Sequence, residues 1–165
     1  MSAPLQGLPL VLGTAQLGLT YGIANRDGQP SRERAQAIVS EAWNRGIRFF
    51  DTAQAYGESE SVLGECVGRL GKGAASGGPA IISKLHPEIR PWDEPVVLRA
   101  VGESLQRLNI PTLWGLLLHR ESWLEGPWEP IEKVADRLKR EGKIQFFGVS
   151  VYSAEMALKA LDMAA

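Results

Sequence analysis

With 165 residues, 44% of them hydrophobic and 22% charged, the chain has ordinary globular composition and the length of one domain with a sizeable core, which excludes disordered and collagen-like classes. Eighteen basic against nineteen acidic residues leave a formal net charge of -1, so no long-range field draws it to nucleic acid or an acidic membrane. The single cysteine, Cys66, excludes an intramolecular disulfide and points to a reducing compartment, the cytoplasm, and no stretch approaches the roughly 18 apolar residues of a membrane helix.

A first strand is predicted over residues 8–12, where the run is short, apolar and bounded by Pro and Gly. A long polar loop over 19–30, with Gly22, Asn25, Asp27 and Gly28, follows it. The periodicity then predicts a helix over 31–45 that starts at a Ser cap, carries Ala35, Ile38, Val39 and Ala42 on one face and stops at Gly46. Strands over 47–50, 80–83, 113–118 and 145–149 alternate with helices over 59–70, 94–108, 130–141 and 153–164, with Gly142 repeating the helix stop. A flexible connection is expected over 71–79. The strands are hydrophobic on both faces, as a buried parallel sheet requires.

The later strands start at 47, 80, 113 and 145, spacings of 33, 33 and 32 residues, and one βαβ step takes about 30 or more. Periodicity alone admits either an open doubly wound sheet or a closed barrel. What favours the barrel is a polar residue at the C-terminal end of successive strands: Asp51, Lys84, His119 and Ser150. In a barrel those ends ring one mouth. A complete barrel takes about 250 residues. The expected fold is therefore α/β of the (β/α)₈ TIM-barrel type, an incomplete barrel of about five βα units forming one domain over 1–165, with the 19–30 loop at the mouth.

Reducing a carbonyl by hydride needs a proton donor beside the carbonyl oxygen, and tyrosine serves when a neighbouring cation lowers its pKa from about 10. Lys84 beside Tyr56 supplies that cation, and Asp51 on the neighbouring strand supplies the counter-ion that a lysine in an apolar mouth needs. Tyr56 follows Asp51 by five residues, enough to carry the phenol over the rim, and His119 one strand further on can orient the same oxygen.

Through Phe49-Phe50-Asp51-Thr52-Ala53-Gln54-Ala55-Tyr56-Gly57, Ile82-Ser83-Lys84-Leu85, Leu117-Leu118-His119-Arg120 and Gly148-Val149-Ser150, with Leu12-Gly13-Thr14-Ala15-Gln16-Leu17-Gly18 before them, the sequence resembles the aldo-keto reductase family. The resemblance covers nearly the whole chain. It implies a reductase of aldehydes or ketones that uses NADP(H), with Tyr56 as general acid, Lys84 and Asp51 as its tuning pair, and His119 orienting the carbonyl. It also implies that Gly13, Thr14, Asp51 and Ser150 lie near the cofactor, Ser150 against the nicotinamide amide. Many members carry an amide side chain after that serine, where this sequence has Val151. Members bind the dinucleotide without a Gly-rich motif, and the glycines at 64, 68, 71 and 73 follow no strand.

Two rival readings use the same residues. Lys84 in an apolar mouth could serve as the nucleophile of a Schiff-base aldolase. A non-catalytic half barrel could instead pair with itself through open sheet edges. His86 and Cys66 lack the spacing of a metal site, so no metal is expected, and Cys66 reads as core. Gly71-Lys72 is no phosphate loop, since Cys66 and Gly73 occupy positions that need Gly and Ser or Thr. Of the tryptophans at 43, 92, 114, 123 and 128, Trp92 and Trp123 follow strand ends and are candidates to line a substrate pocket.

Overall fold

The computed structural model describes residues 10–164 apart from Ala24 and residues 71–77. Residues 8 and 9 of the first expected strand, most of the 71–79 connection and the Gly71-Lys72 motif lie outside the described residues.

The elements are β1 (Val11–Gly13), α1 (Ala15–Gly18), α2 (Arg32–Asn44), β2 (Phe49–Asp51), α3 (Ser59–Gly68), β3 (Ala80–Lys84), α4 (Glu94–Leu108), β4 (Leu113–Leu118), a 3₁₀ turn (Glu121–Glu125), α5 (Trp128–Arg140), β5 (Ile144–Val149) and α6 (Ala154–Ala164). All five strands are parallel and lie in the order β1-β2-β3-β4-β5. A doubly wound sheet reverses its strand order at a switch point, whereas a barrel adds each strand beside the last. The observed order is that of the barrel, carried through five βα units.

Local chemistry explains the helix ends. Ser31 accepts the Arg34 N–H at 3.3 Å and caps α2, and the chain leaves that helix through Gly46 at φ +93°, a left-handed conformation open to glycine. Asn109, at φ 53°, ends α4 in the same way. The α2 face is narrower than expected: Ala35, Val39 and Ala42 are buried, but Ile38 is 40% exposed beside the β1 edge.

The main core lies between sheet and helices. Phe50, Ile81, Leu113 and Leu116 meet Val39, Leu63, Val101, Leu105 and Leu108, all close to fully buried, and each such side chain contributes about 2 kcal/mol of transfer free energy. Cys66 belongs to this core. On the other sheet face Trp114 bridges Phe49, edge-on at 5.0 Å, and Phe146, tilted at 4.8 Å. Burial on both faces is therefore only partial in the central strands, where Phe49, Ile82 and Trp114 are half-buried, and it fails at the margins: Val11 in β1 and Phe146 in β5 are about half exposed, because neither strand has a second neighbour among the described residues.

Candidate active site

Parallel register brings the candidate residues to one rim. Asp51 closes β2 opposite Gly13, Lys84 closes β3 opposite Leu117, and His119 and Ser150 directly follow β4 and β5. Ser150 is tied down by its N–H, which donates to the Leu118 carbonyl at 2.8 Å. Tyr56 stands in the turn between β2 and α3, where its N–H donates to the Ala53 carbonyl and its carbonyl accepts from Ser59 N–H.

Lys84 is the centre of the site. Its ammonium donates to Asp51 Oδ1 at 2.5 Å and to the Thr52 carbonyl at 3.0 Å, with the side chain 8% exposed. A lysine so buried needs an ion pair and a second acceptor to offset desolvation, and it has both. The same nitrogen lies over the Tyr56 ring, 5.0 Å from its centroid. His119 meets that ring edge-on at 5.9 Å.

The expected lowering of the Tyr56 pKa is not what the surroundings produce. Burial raises the Tyr56 hydroxyl above the ordinary tyrosine range, and Asp51, Tyr21 and Tyr152 add to the rise. Lys84 already shares its charge with Asp51 and faces the ring, so desolvation wins. Burial also lowers the His119 pKa, assisted by Lys84, His86 and Arg120 against a weaker opposing effect of Asp51. His119 is thus a neutral imidazole near pH 7. Its Nδ1 is buried with no hydrogen-bond partner among the described residues.

Thr14 and Gly13, adjacent in sequence, differ in availability. The Thr14 side chain is 1% exposed; its hydroxyl donates to the Asp51 carbonyl at 2.8 Å and lies 3.0 Å from Ser59 Oγ. Ser59 in turn donates to the Thr14 carbonyl at 2.7 Å and accepts from Thr52 at 3.0 Å. This sealed network fixes the end of β2 and commits the Thr14 hydroxyl proton to the Asp51 carbonyl, with the side chain closed off from solvent. Gly13 is the opposite case: nothing lies within 4 Å of where its β-carbon would stand, and a cleft of about 800 Å³ opens beside it, lined in part by Gln16, Asn25, Arg26 and Arg34.

Trp92 lies within 3.5 Å of the position a β-carbon on Gly126 would take, so it packs on the 3₁₀ turn, while Trp123, inside that turn, is half-buried. Among the described residues no three His, Cys, Asp or Glu side chains gather as a metal site.

Sequence pattern does not single out two further groups. Gln54, midway between Asp51 and Tyr56, donates through its backbone N–H to the Lys84 carbonyl at 3.1 Å and through Nε2 to the Ala100 carbonyl (3.1 Å) and Ser104 Oγ (2.9 Å). Its Oε1 accepts the His86 N–H at 2.7 Å. Glu60, 1% exposed, accepts from Ser83 Oγ at 2.6 Å and forms a forked pair with Arg107 at 2.8 and 2.7 Å. A glutamate in the first turn of a helix reads locally as a partner of the helix dipole. Only the fold brings Arg107 beside it.

Comparison with known proteins bears on the fold and the family. The Aldo/keto reductase family model matches residues 9–164. The chain is 28% identical over 145 residues to a Schizosaccharomyces pombe protein assigned as a voltage-gated potassium channel subunit beta, covering 82% of this chain and 40% of that one. A Pseudomonas aeruginosa crystal structure assigned to the aldo-keto reductases superposes with a TM-score of 0.75 at 30% identity, covering 93% of this chain and 60% of that one. A Klebsiella pneumoniae aldo/keto reductase in complex with NADP and acetate gives a TM-score of 0.67 at 25% identity, covering 92% and 49%. The chain thus spans 40% to 60% of the length of these relatives.

Proposed function

The chain belongs to the aldo/keto reductase family, and on that premise we propose that it carries the acid–base centre of an NADP(H)-dependent oxidoreductase that reduces an aldehyde or ketone to an alcohol. The observation that supports this best is the Lys84 ammonium, clamped by Asp51 and lying over the Tyr56 ring.

Tyr56 acts as general acid. At neutral pH its raised pKa keeps the phenol protonated, so the proton is in place when a carbonyl oxygen arrives. As negative charge builds on that oxygen, Tyr56 Oη transfers its proton and takes on phenolate character, which the Lys84 cation stabilises across the ring. Asp51 keeps the Lys84 ammonium in place beside the ring. Neutral His119, edge-on to Tyr56, fixes the carbonyl oxygen by hydrogen bonding. NADP(H), when bound, supplies the hydride.

The residues present fit the nicotinamide end of that cofactor. Gly13, opposite Asp51 in the register, presents open space with no side chain in the way, and Asp51 and half-buried Ser150 close the rim on either side of Lys84 and His119; the cleft beside Gly13 is lined by none of these catalytic side chains and takes no part in this fit. Thr14 contributes by holding the Asp51 backbone. The solved Klebsiella pneumoniae relative, in complex with NADP, supports the choice of cofactor. A free, buried Cys66 suits a reducing compartment such as the cytoplasm, and among the described residues no helix is long and apolar enough to cross a membrane.

The test compares the chain with its Tyr56→Phe variant for NADPH binding by fluorescence and for NADPH oxidation with a generic aldehyde. Turnover that disappears in a variant that still binds NADPH supports the reading; equal turnover in both overturns it. The Schiff-base alternative fits less well, because the nearly buried Lys84 nitrogen already donates to both Asp51 and the Thr52 carbonyl, and absence of a borohydride-trapped adduct would dispose of it. Self-pairing through the edges of β1 and β5, which have no further strand partner among the described residues, is a separate reading, which equilibrium sedimentation decides: a strictly monomeric chain at high concentration removes it.

A further inference from the structure

We propose that Gln54 is a positioning residue for the acid centre: by bridging the Tyr56 turn, the end of β3 and helix α4, it sets where the Tyr56 ring lies relative to Lys84. The inference rests on the reading of Tyr56 and Lys84 given above and adds a residue to which neither the family match nor the motif reading gives a role.

Gln54 uses its backbone N–H, both ends of its amide and its place in the chain to join three elements. Its N–H donates to the carbonyl of Lys84 itself (3.1 Å), so the turn that carries Tyr56 is pinned to the residue beneath it. The side-chain oxygen accepts the His86 N–H (2.7 Å), two residues past Lys84. The side-chain nitrogen donates to the Ala100 carbonyl (3.1 Å) and to Ser104 Oγ (2.9 Å), one turn apart on α4. An amide has both a donor and an acceptor end, and here each end meets the opposite kind of group.

The far side of this bridge is also fixed. Ser104 Oγ accepts from Arg107 at 3.4 Å, Arg107 forks onto Glu60, and Glu60 accepts from Ser83, the residue before Lys84. Tyr56 turn, β3 end, α4 and α3 are therefore joined in one closed circuit of hydrogen bonds. A circuit that is largely shielded from water, open only at half-exposed Arg107, resists displacement of any one of its members. The aim of Tyr56 at Lys84 depends on a turn of non-repetitive backbone, and without the Gln54 side chain that turn keeps its backbone bonds, among them the residue-54 N–H to Lys84 and Tyr56 N–H to Ala53, but loses its ties to His86 and to α4.

The experiment reads Tyr56 directly. Tyrosine labelled with ¹³C at Cζ gives each of the three tyrosines a resonance whose pH titration is followed by NMR, with Tyr56 identified by its loss in Tyr56→Phe. In Gln54→Ala the turn loosens and admits water, so the Tyr56 midpoint falls toward the ordinary tyrosine range, and turnover with an aldehyde drops at least tenfold with the KM for NADPH changed less than twofold. Gln54→Met, which keeps the length of the side chain without adding charge but gives up its bonds to His86 and α4, shifts both readouts in the same direction, and it serves if the alanine variant does not fold. An unchanged Tyr56 midpoint in a folded Gln54 variant overturns the proposal. A shifted midpoint in a chain that reduces no carbonyl leaves Gln54 as the positioning residue of Tyr56 and overturns the reductase reading instead.

Discussion

Gly18 and Tyr56 approach so closely that a β-carbon on Gly18 would stand 1.9 Å from the Tyr56 carbonyl oxygen and 2.2 Å from the Ser59 nitrogen. The contact is reciprocal, since a β-carbon on Gly57, at φ +55°, would meet the Gly18 carbonyl oxygen at 2.5 Å. The segment after β1 and the turn carrying the proposed acid thus touch through backbone alone, which only glycine permits at both positions.

Gly18→Ala is therefore expected to push the Tyr56 turn outward. The obstructing atoms are backbone and cannot swing aside, so the cost is at the upper end of the usual 1–3 kcal/mol for overpacking. A displacement of Tyr56 by about 1 Å is expected to lower turnover about a hundredfold. Urea unfolding reads the first effect and aldehyde reduction the second; unchanged values for both would mean that the turn is free to move.

The raised Tyr56 pKa fixes the direction of a pH profile. Carbonyl reduction needs the protonated phenol, so its rate stays flat through neutral pH and falls only above the ordinary tyrosine range, as the pH passes the raised midpoint. Alcohol oxidation needs the deprotonated form and rises through that midpoint. Initial rates between about pH 6 and 11 show both arms, and Tyr56→Phe removes them with a loss of about 10²–10⁴-fold. A reduction rate that already falls below pH 9 would contradict the burial of Tyr56.

His119 predicts a stability slope at the acid end. Its pKa is lowered in the folded chain, so as pH falls below about 6.5 the unfolded chain takes up a proton that the folded chain refuses. The contribution is present above that value and is lost as pH falls through the folded midpoint. His119→Gln should show a shallower fall in urea midpoint between pH 7.5 and 5 than the parent, by less than one proton equivalent. Parallel slopes would place the imidazole in water.

The strand ends were the legible part of this molecule. Asp51, Lys84, His119 and Ser150 could be placed on one rim because a period of 31 to 33 residues puts the same register position at the same end of each strand. The strand starts were less exact: Ile47 is expected to open β2, but its N–H instead donates to the Ala42 carbonyl and finishes the exit from α2. Neither α1 nor the 3₁₀ turn could be read, since four or five residues carry too little periodicity. The direction of the Tyr56 shift was missed because it depends on how Lys84 divides its charge between Asp51 and the ring. The Thr14–Ser59–Thr52 network and the Gln54 bridge are set by hydrogen bonds across up to 50 residues of sequence, for which no local pattern exists.

Glu60 and Arg107 illustrate the same point and yield an asymmetric prediction. The Glu60 side chain is 2% exposed and that of Arg107 37%, so the pair has one partner that can reach water and one that cannot. Arg107→Met strands the Glu60 carboxylate among apolar neighbours with only Ser83 to donate to it, and should cost about 3–5 kcal/mol. Glu60→Gln keeps an acceptor for Ser83 and lets Arg107 turn outward, so its cost is about 1–2 kcal/mol. Urea unfolding of the two single variants and the double variant measures this, with the double expected to be more stable than Arg107→Met alone because the stranded charge is gone. If Glu60→Gln proved the more damaging single change, the carboxylate would have to be reachable by water, contrary to its burial against α4.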